Sequence, residues 1–599
     1  MSTGTILTTS GINSLISAYQ SSQTSLLVTP LQTMQTQYEN LSSAYSTLST
    51  KLNTLVTGLS GFTATDSSSV FAAMTAASSN TNFVNATATT SATIGNYALR
   101  VEQLAKSDIA VSQSLSSSTA NSITGTHTFQ ITTGSPNGDL TSNISVTFGT
   151  GETNQTVMQK IAAAINSNQA VVTSNSETAA NLYNGAASTL SFNVGGTITT
   201  VSVNSGGSGT ETYDQLLNEL VTNINSNVSG VTAKKITDPN NSANEMLQIT
   251  VNDPTKSLSI SDSSGTLSSD LGITTSNLIA ASGVVTASAF SPSTGLSQLS
   301  LSSKNTGLDY IIKNISDTGS GTALSSINFN LGSTRTTFNQ STNTAGYVYS
   351  DTTLTNNQLN AKINFNGLEI QRDSNTISDL ANGVTFNLNS VMQSTDATAN
   401  VTVGPDISSI TSQINTFISN FNDLYSYLRT NTAVSSTSGR SLLSGDINAS
   451  SILNILTSNS ISPVAGLSST VINTLSKIGI SFDPSTGLSV SDSSQLQQSL
   501  TNNLSQVQAL FNSTNGIANT LYNSLNPYLG AAGYLALTKS SYDSNVQNYA
   551  DRISAAQASI SKNASALQTQ YETLQAQLVE MNNTAQSFFG ITINDYFNQ

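Results

Sequence analysis

Ten residues near the start of the chain recur at alternating spacings of four and three: Leu27, Leu31, Met34, Tyr38, Leu41, Tyr45, Leu48, Leu52, Leu55 and Leu59. An unbroken heptad of this kind makes one helix bury a narrow seam against another. Pro30 falls where a helix start tolerates a missing N–H, and no Gly follows until Gly58. A helix from Leu27 to Leu59 would be about 50 Å long. Its flanks are Ser, Thr, Gln and Asn, with Glu39 and Lys51 the only charges, so it needs a partner for its seam.

The far end of the chain supplies a candidate partner. Tyr542, Val546, Tyr549, Ile553, Ala556 and Ile560 repeat the same spacing. Ala564, Leu567, Tyr571, Leu574, Leu578 and Met581 continue it after one phase shift, which changes local winding without ending a coil. The two ends therefore read as helices that pair, either as a coiled coil or as two members of a bundle. The expected assembly seam is the ten N-terminal heptad residues with Ile553, Ile560, Leu567, Leu574, Leu578 and Met581. Residues 1 to 25 carry a short hint at Ile12, Leu15, Ile16 and Tyr19, which predicts a weak helix or an unstructured arm.

Between the ends the period changes to two. Tyr97, Leu99 and Val101 alternate with Ala98 and Arg100 and predict a strand. From about 120 to 290, two segments resemble each other. Phe129–Ile131, Ile144–Phe148 and a helical stretch ending Ile165-Asn166-Ser167-Asn168 match Leu190–Val194, Thr200–Val203 and a stretch ending Ile224-Asn225-Ser226-Asn227. Two copies are too few for a solenoid, so a duplicated strand–strand–helix module is expected. Asn366-Gly367 predicts a hairpin, Asn375–Leu380 a short helical link, and Gly383–Leu388 a strand. Asp406 caps a helix with Ile407, Ile410, Ile414, Phe417, Phe421, Leu424 and Leu428 on one face, wide enough for a bundle interior. A hairpin across Asp483–Gly487 precedes another helix carrying Leu496, Leu500, Leu504, Val507 and Phe511.

Composition narrows the functional classes. The 599 residues exceed one core, so several domains are expected. Charged residues make up 8 %, against about 25 % in ordinary globular proteins. A net charge of −14 argues against nucleic-acid binding. With no Cys there is neither disulfide nor thiolate metal site. The first 38 residues carry no charged side chain, so a secretory signal with a basic start is not expected. No apolar run reaches membrane-spanning length, and no membrane insertion is expected.

Little points to chemistry. No Gly-Lys dipeptide exists for a phosphate loop, and Gly206–Gly209 lacks a dinucleotide context. His127 is the only histidine, which removes His-based triads and multi-His metal sites. Asp238–Glu245 lacks calcium-loop spacing and reads as a polar turn. No catalytic residue, cofactor or metal is expected, and no enzyme.

Several ordered motifs resemble the bacterial flagellar filament cap family, also called hook-associated protein 2. Gly95-Asn-Tyr-Ala-Leu-Arg-Val-Glu-Gln-Leu-Ala105 looks like its N-terminal signature. Asn366–Arg372, Ser374–Thr385, Ile478–Ile480 with Gly487–Val490, and Asn503 with Val507, Leu510 and Phe511 look like its C-terminal region. The resemblance implies an α+β multidomain fold: coiled-coil helical termini, a helical-bundle stalk, and β-rich head domains inserted between the two halves. It implies a leg from 1–65 and 536–599, and a stalk from 66–83 and 404–535. One head domain would comprise 84–115 and 295–403, with a second inserted as 116–294.

The implied function is a homo-oligomeric cap, commonly a pentamer, at the distal filament tip. There it would promote flagellin folding and insertion and prevent flagellin loss to the medium. The implied partners are the chain itself, flagellin, and the flagellar type III export apparatus with its chaperone. The implied location is extracellular. Two other classes fit the same layout: a surface adhesin binding host or mucin glycans, and another flagellar axial protein such as a junction protein or flagellin.

Overall fold

The structure is a computed structural model and describes residues 8–203, 211–435 and 439–589. The chain divides into two compact units, Met1–Thr75 with Pro405–Gln599, and Ala76–Gly404. The Gly206–Gly209 stretch lies outside the described residues.

The first unit is helical. Helix Thr9–Gln23 is capped by Thr8, whose side chain accepts from Gly11 N. It passes through one π-helical turn, Thr24–Val28, into helix Thr29–Thr63. Pro30 explains the turn: it has no N–H for the Leu26 carbonyl, and its ring crowds that carbonyl. The helix accommodates this by widening, and Thr29 N bonds back to Thr24 O instead. The C-terminal helix Tyr534–Phe589 runs antiparallel along this helical run. Val28 meets Ile553 and Ile560, while Ile12 and Ile16 meet Ala564. Residues 9–23 are thus a regular packed helix.

The second half of Thr29–Thr63 enters a larger core. Tyr45, Leu48, Leu52, Leu55, Leu59 and Phe62 pack with Ile407–Thr432, Ile447–Ile461, Leu504–Asn512 and Ile517–Leu525. Phe62 sits 5.1 Å from Phe511 and 5.8 Å from Phe417, ring centre to ring centre. Asp406 caps the long helix by accepting from Ser409 N at 2.9 Å. The single helix expected through Leu496–Phe511 is broken. Asn503 leaves helical backbone at φ −135°, ψ 33°, and separates Ser493–Asn502 from Leu504–Asn512. Asn favours such breaks because its side chain competes for backbone hydrogen bonds.

The second unit is built from sheets. One places Ala399–Pro405, Gly95–Gln103, Ala361–Phe365 and Leu368–Arg372 side by side. Asn366 and Gly367 turn its hairpin with φ +52° and +90°, the geometry that a two-residue type I′ turn demands. The helical link expected at Asn375–Leu380 is instead the strand Thr376–Ala381, paired with Val384–Leu388 across Asn382-Gly383. β-branched residues and a second Asn-Gly turn outweigh the local helical spacing there.

A seven-stranded sheet carries the repeat. Its order is Thr197–Val203, Ser188–Val194, Leu258–Ser264, Thr275–Leu278, Leu140–Phe148, Gly125–Thr133, Ile312–Thr318. The two halves are copies joined through Thr275–Leu278. Each has a hairpin, a helix (Asn154–Asn166 or Tyr213–Asn227) and a second hairpin beneath it. The matching Asn residues do the same work. Asn166 exchanges two hydrogen bonds with the Ala287 backbone at 2.8 and 2.9 Å, and Asn225 exchanges two with Ala233 at 2.8 Å each. Ser112 Oγ accepts from Leu299 N, as Ser174 Oγ does from Leu247 N. Asp317 accepts from Leu324 N, as Asp262 does from Ser268 N.

One copy is nested inside the other. Asn168 Oδ1 accepts from Ala281 N at 2.7 Å, so the ends of the inner copy meet. The core around Phe129 and Ile161 also takes Leu299, Leu301, Ile312, Ile315, Phe329 and Tyr347. The 116–294 boundary therefore cuts through the outer copy. The segment that is inserted whole is the inner core, running from Ala170 to Ala280.

Candidate functional site

The helical pair of the first unit is the candidate assembly surface, and its geometry follows from the heptads. At one end Tyr38 stacks on Tyr549 with ring centres 5.6 Å apart, and Tyr45 meets Tyr542 edge-on at 5.3 Å. The Tyr45 hydroxyl donates to Asp446 at 2.5 Å. Burial first, and then that hydrogen bond, push its phenol well above the ordinary range. Ser42 donates to the Asp543 carboxylate, which also holds Lys539 at 2.7 Å. The Lys539 hydrogen bond, then that from Ser42, keep the Asp543 carboxyl below its ordinary value. Lys51 reaches Asp423 on the long helix at 2.7 Å.

The structure sorts the expected seam into three groups. Tyr45, Leu48, Leu52, Leu55 and Leu59 are fully buried within this chain, and Ile553 and Ile560 are buried as well. Helices of the same chain fill this part of the N-terminal heptad. Leu31, Met34, Tyr38 and Leu41 are half-buried, as are Leu567 and Leu578. Leu31 packs against the cluster formed by Val28, Ile553 and Ile560, and Leu567 against Ile12, Ile16 and Ala564.

Leu27, Leu574 and Met581 face solvent, Leu27 at 44 % and Met581 at 59 % exposure. For Leu27 the cause is the π turn. One extra residue rotates a helix by about 100°, so Val28 takes the buried position that the heptad assigns to Leu27. Leu26 beside it is 68 % exposed. Leu26, Val579 and Phe588 extend the exposed apolar set beyond the heptad positions. Their signal was present as apolar residues off the four-three spacing.

Among the described residues, no three His, Asp or Glu side chains come together as metal ligands. His127 is engaged structurally: its Nδ1 accepts from Thr322 N at 3.1 Å. Among the described residues, no helix is long and apolar enough to cross a membrane.

Comparison with known proteins gives matches at both ends of the chain. A family model described as the flagellar hook-associated protein 2 N-terminus matches residues 8–108. A second, its C-terminus, matches residues 359–583. The flagellar hook-associated protein 2 of Aeromonas caviae is 28 % identical over 235 residues, 38 % of this chain and 50 % of that protein. Its counterpart in Salmonella typhimurium is 26 % identical over 251 residues, 40 % of this chain and 53 % of that protein. The chain thus spans about half the length of the curated relatives it matches. A crystal structure of the Escherichia coli flagellar cap protein, domains D1 to D3, aligns at 21 % identity and a TM-score of 0.42. That alignment covers 84 % of this chain and 99 % of the other. The ordered matches at the two ends mean that this chain belongs to the flagellar hook-associated protein 2 family.

Proposed function

We propose that several copies of this chain, five by family precedent, cap the distal tip of a flagellar filament. They hold arriving flagellin while it folds and inserts, and they keep it from escaping into the medium. The chain is exported by the flagellar type III apparatus with its chaperone and works outside the cell. The observation that carries this reading is the pair of family matches, 8–108 and 359–583, in family order.

The helical pair suits the role. Its seam carries few charges, so contacts made by its open face are apolar, weak and reversible. Exposed Leu26, Leu27, Leu574 and Met581 are apolar side chains available for such contacts. A leg built this way releases one docking position and takes the next as each flagellin enters.

The test is a strain lacking this gene, compared with one complemented by the wild-type gene. Bare hooks with monomeric flagellin in the medium, both reversed by complementation, are the expected result. Normal filaments in the deletion strain would overturn the proposal.

A further inference from the structure

The inner copy contains a charge cluster that its fold does not need. Lys235 Nζ touches Asp214 Oδ1 and lies 3.1 Å from Glu245 Oε1. Asp214 and Glu245 therefore share the one ammonium. Asn218 Nδ2 also donates to Asp214 Oδ1, at 3.3 Å. Lys235 and Glu245 are 24 % and 23 % exposed, and Asp214, in the first helical turn, 44 %. Glu245 Oε2 is buried with no hydrogen-bond partner.

The outer copy gives an internal comparison. Thr212 and Thr153 cap equivalent helices, so Gln155 stands where Asp214 does. Ala287 and Ala233 answer equivalent Asn residues, so Ala289 stands where Lys235 does. Leu299 and Leu247 answer equivalent Ser residues, so Ser297 stands where Glu245 does. The same framework folds there with no charge at any of the three positions.

A lysine amine held against one carboxyl, with a second carboxyl on the same amine, is the arrangement needed to form an amide. We propose that Lys235 and Asp214 condense into an intramolecular amide bond, with Glu245 carrying the protons. The ammonium gives one proton through Glu245 to a carboxylate oxygen of Asp214, and the free amine attacks Cγ of the neutral acid. The new C–N bond forms, and Glu245 takes the second N–H proton and delivers it to the departing hydroxyl. One water leaves, and no oxidant or reductant is needed. Fixed contact replaces a bimolecular encounter, with effective molarities of roughly 10⁵ M or more for well-oriented groups. At rest the groups form an ion pair, since the Lys235 hydrogen bond holds the Asp214 carboxyl below its ordinary value. The reaction therefore proceeds slowly, through the minor neutral pair. The bond would tie helix Tyr213–Asn227 to strand Val231–Asp238, a covalent staple in a chain without cysteine.

Intact-mass measurement of the folded full-length protein tests this directly. The expected mass is one water below the sequence mass, with a tryptic fragment joining the Asp214 and Lys235 peptides. Glu245→Gln, which keeps size and polarity, is expected to stay at full mass, as is Lys235→Ala. Wild-type protein at full mass overturns the proposal whether or not the variants fold. Loss of water without the joined fragment overturns it as well. Glu245→Gln still lighter by one water overturns the role given to Glu245.

Discussion

Truncating Leu52 separates the closed part of the seam from the open part. Leu52 is fully buried in the helical core. Leu→Ala at such a site removes transferred apolar surface and leaves a cavity, costing about 2–5 kcal/mol. A cost of about 3 kcal/mol in a large helical unit lowers its melting temperature by roughly 6–12 °C. It leaves the unit folded at room temperature, because domains carry roughly 5–15 kcal/mol. The paired variant Leu574→Ala with Met581→Ala acts on exposed side chains. Such surface changes stay within about 0.5 kcal/mol each. Thermal unfolding followed by helical circular dichroism reads the first effect, and filament growth on complemented cells reads the second. Leu52→Ala is expected to melt early yet support filaments at low temperature. The paired variant is expected to melt like the wild type yet fail to cap. The reasoning is refuted if the paired variant melts as early as Leu52→Ala, or if it supports full-length filaments.

Three further outcomes are expected. Asp108 is fully buried and held in a two-pronged pair by Arg335 at 2.8 and 2.9 Å, with Ile312 N also donating to it. Arg335→Met strands that carboxylate at a cost of about 3–5 kcal/mol, and hydrogen exchange of Ile312–Thr318 is expected to accelerate. Asp406 has its carboxyl held below the ordinary 3.8 by the Ser408 hydroxyl and then Ser409 N–H. A lowered folded value means its capping contribution is present above 3.8 and lost as pH falls through the lowered value. Asp406→Ala is therefore expected to cost about 1 kcal/mol at neutral pH, with the gap to wild type closing on acidification in urea titrations. Excising 170–279 and rejoining at the Asn168–Ala281 contact is expected to leave the outer copy folded, with protection of Phe129 and Leu301 amides retained in hydrogen exchange.

Much of this was legible along the chain. The heptads named both helices of the pair, and Asp406 and Asn366-Gly367 named a cap and a turn that the backbone adopts. The repeated Ile-Asn-Ser-Asn tetrads marked two modules, because each first Asn lies in the last turn of its helix and clamps the backbone of a strand in its own copy. Such features depend on near neighbours, and spacing carries them. The misreadings have local causes as well. Pro30 inserts a π turn that moves Leu27 out and Val28 in. Asn503 breaks a helix whose apolar spacing runs straight through it.

The remainder depends on segments that meet across hundreds of residues, and no spacing records such a meeting. Whether Leu48, Leu52 and Leu55 face another subunit or their own chain turned on helices that begin more than 350 residues later. That Asn168 bonds Ala281, nesting one copy within the other, turned on chain closure over the whole insert. The Lys235, Asp214 and Glu245 cluster arises from a helix start lying across a hairpin. Linear order sets which elements form, since backbone preference and amphipathic period are local. Burial, and with it every available surface, follows from which of those elements find each other.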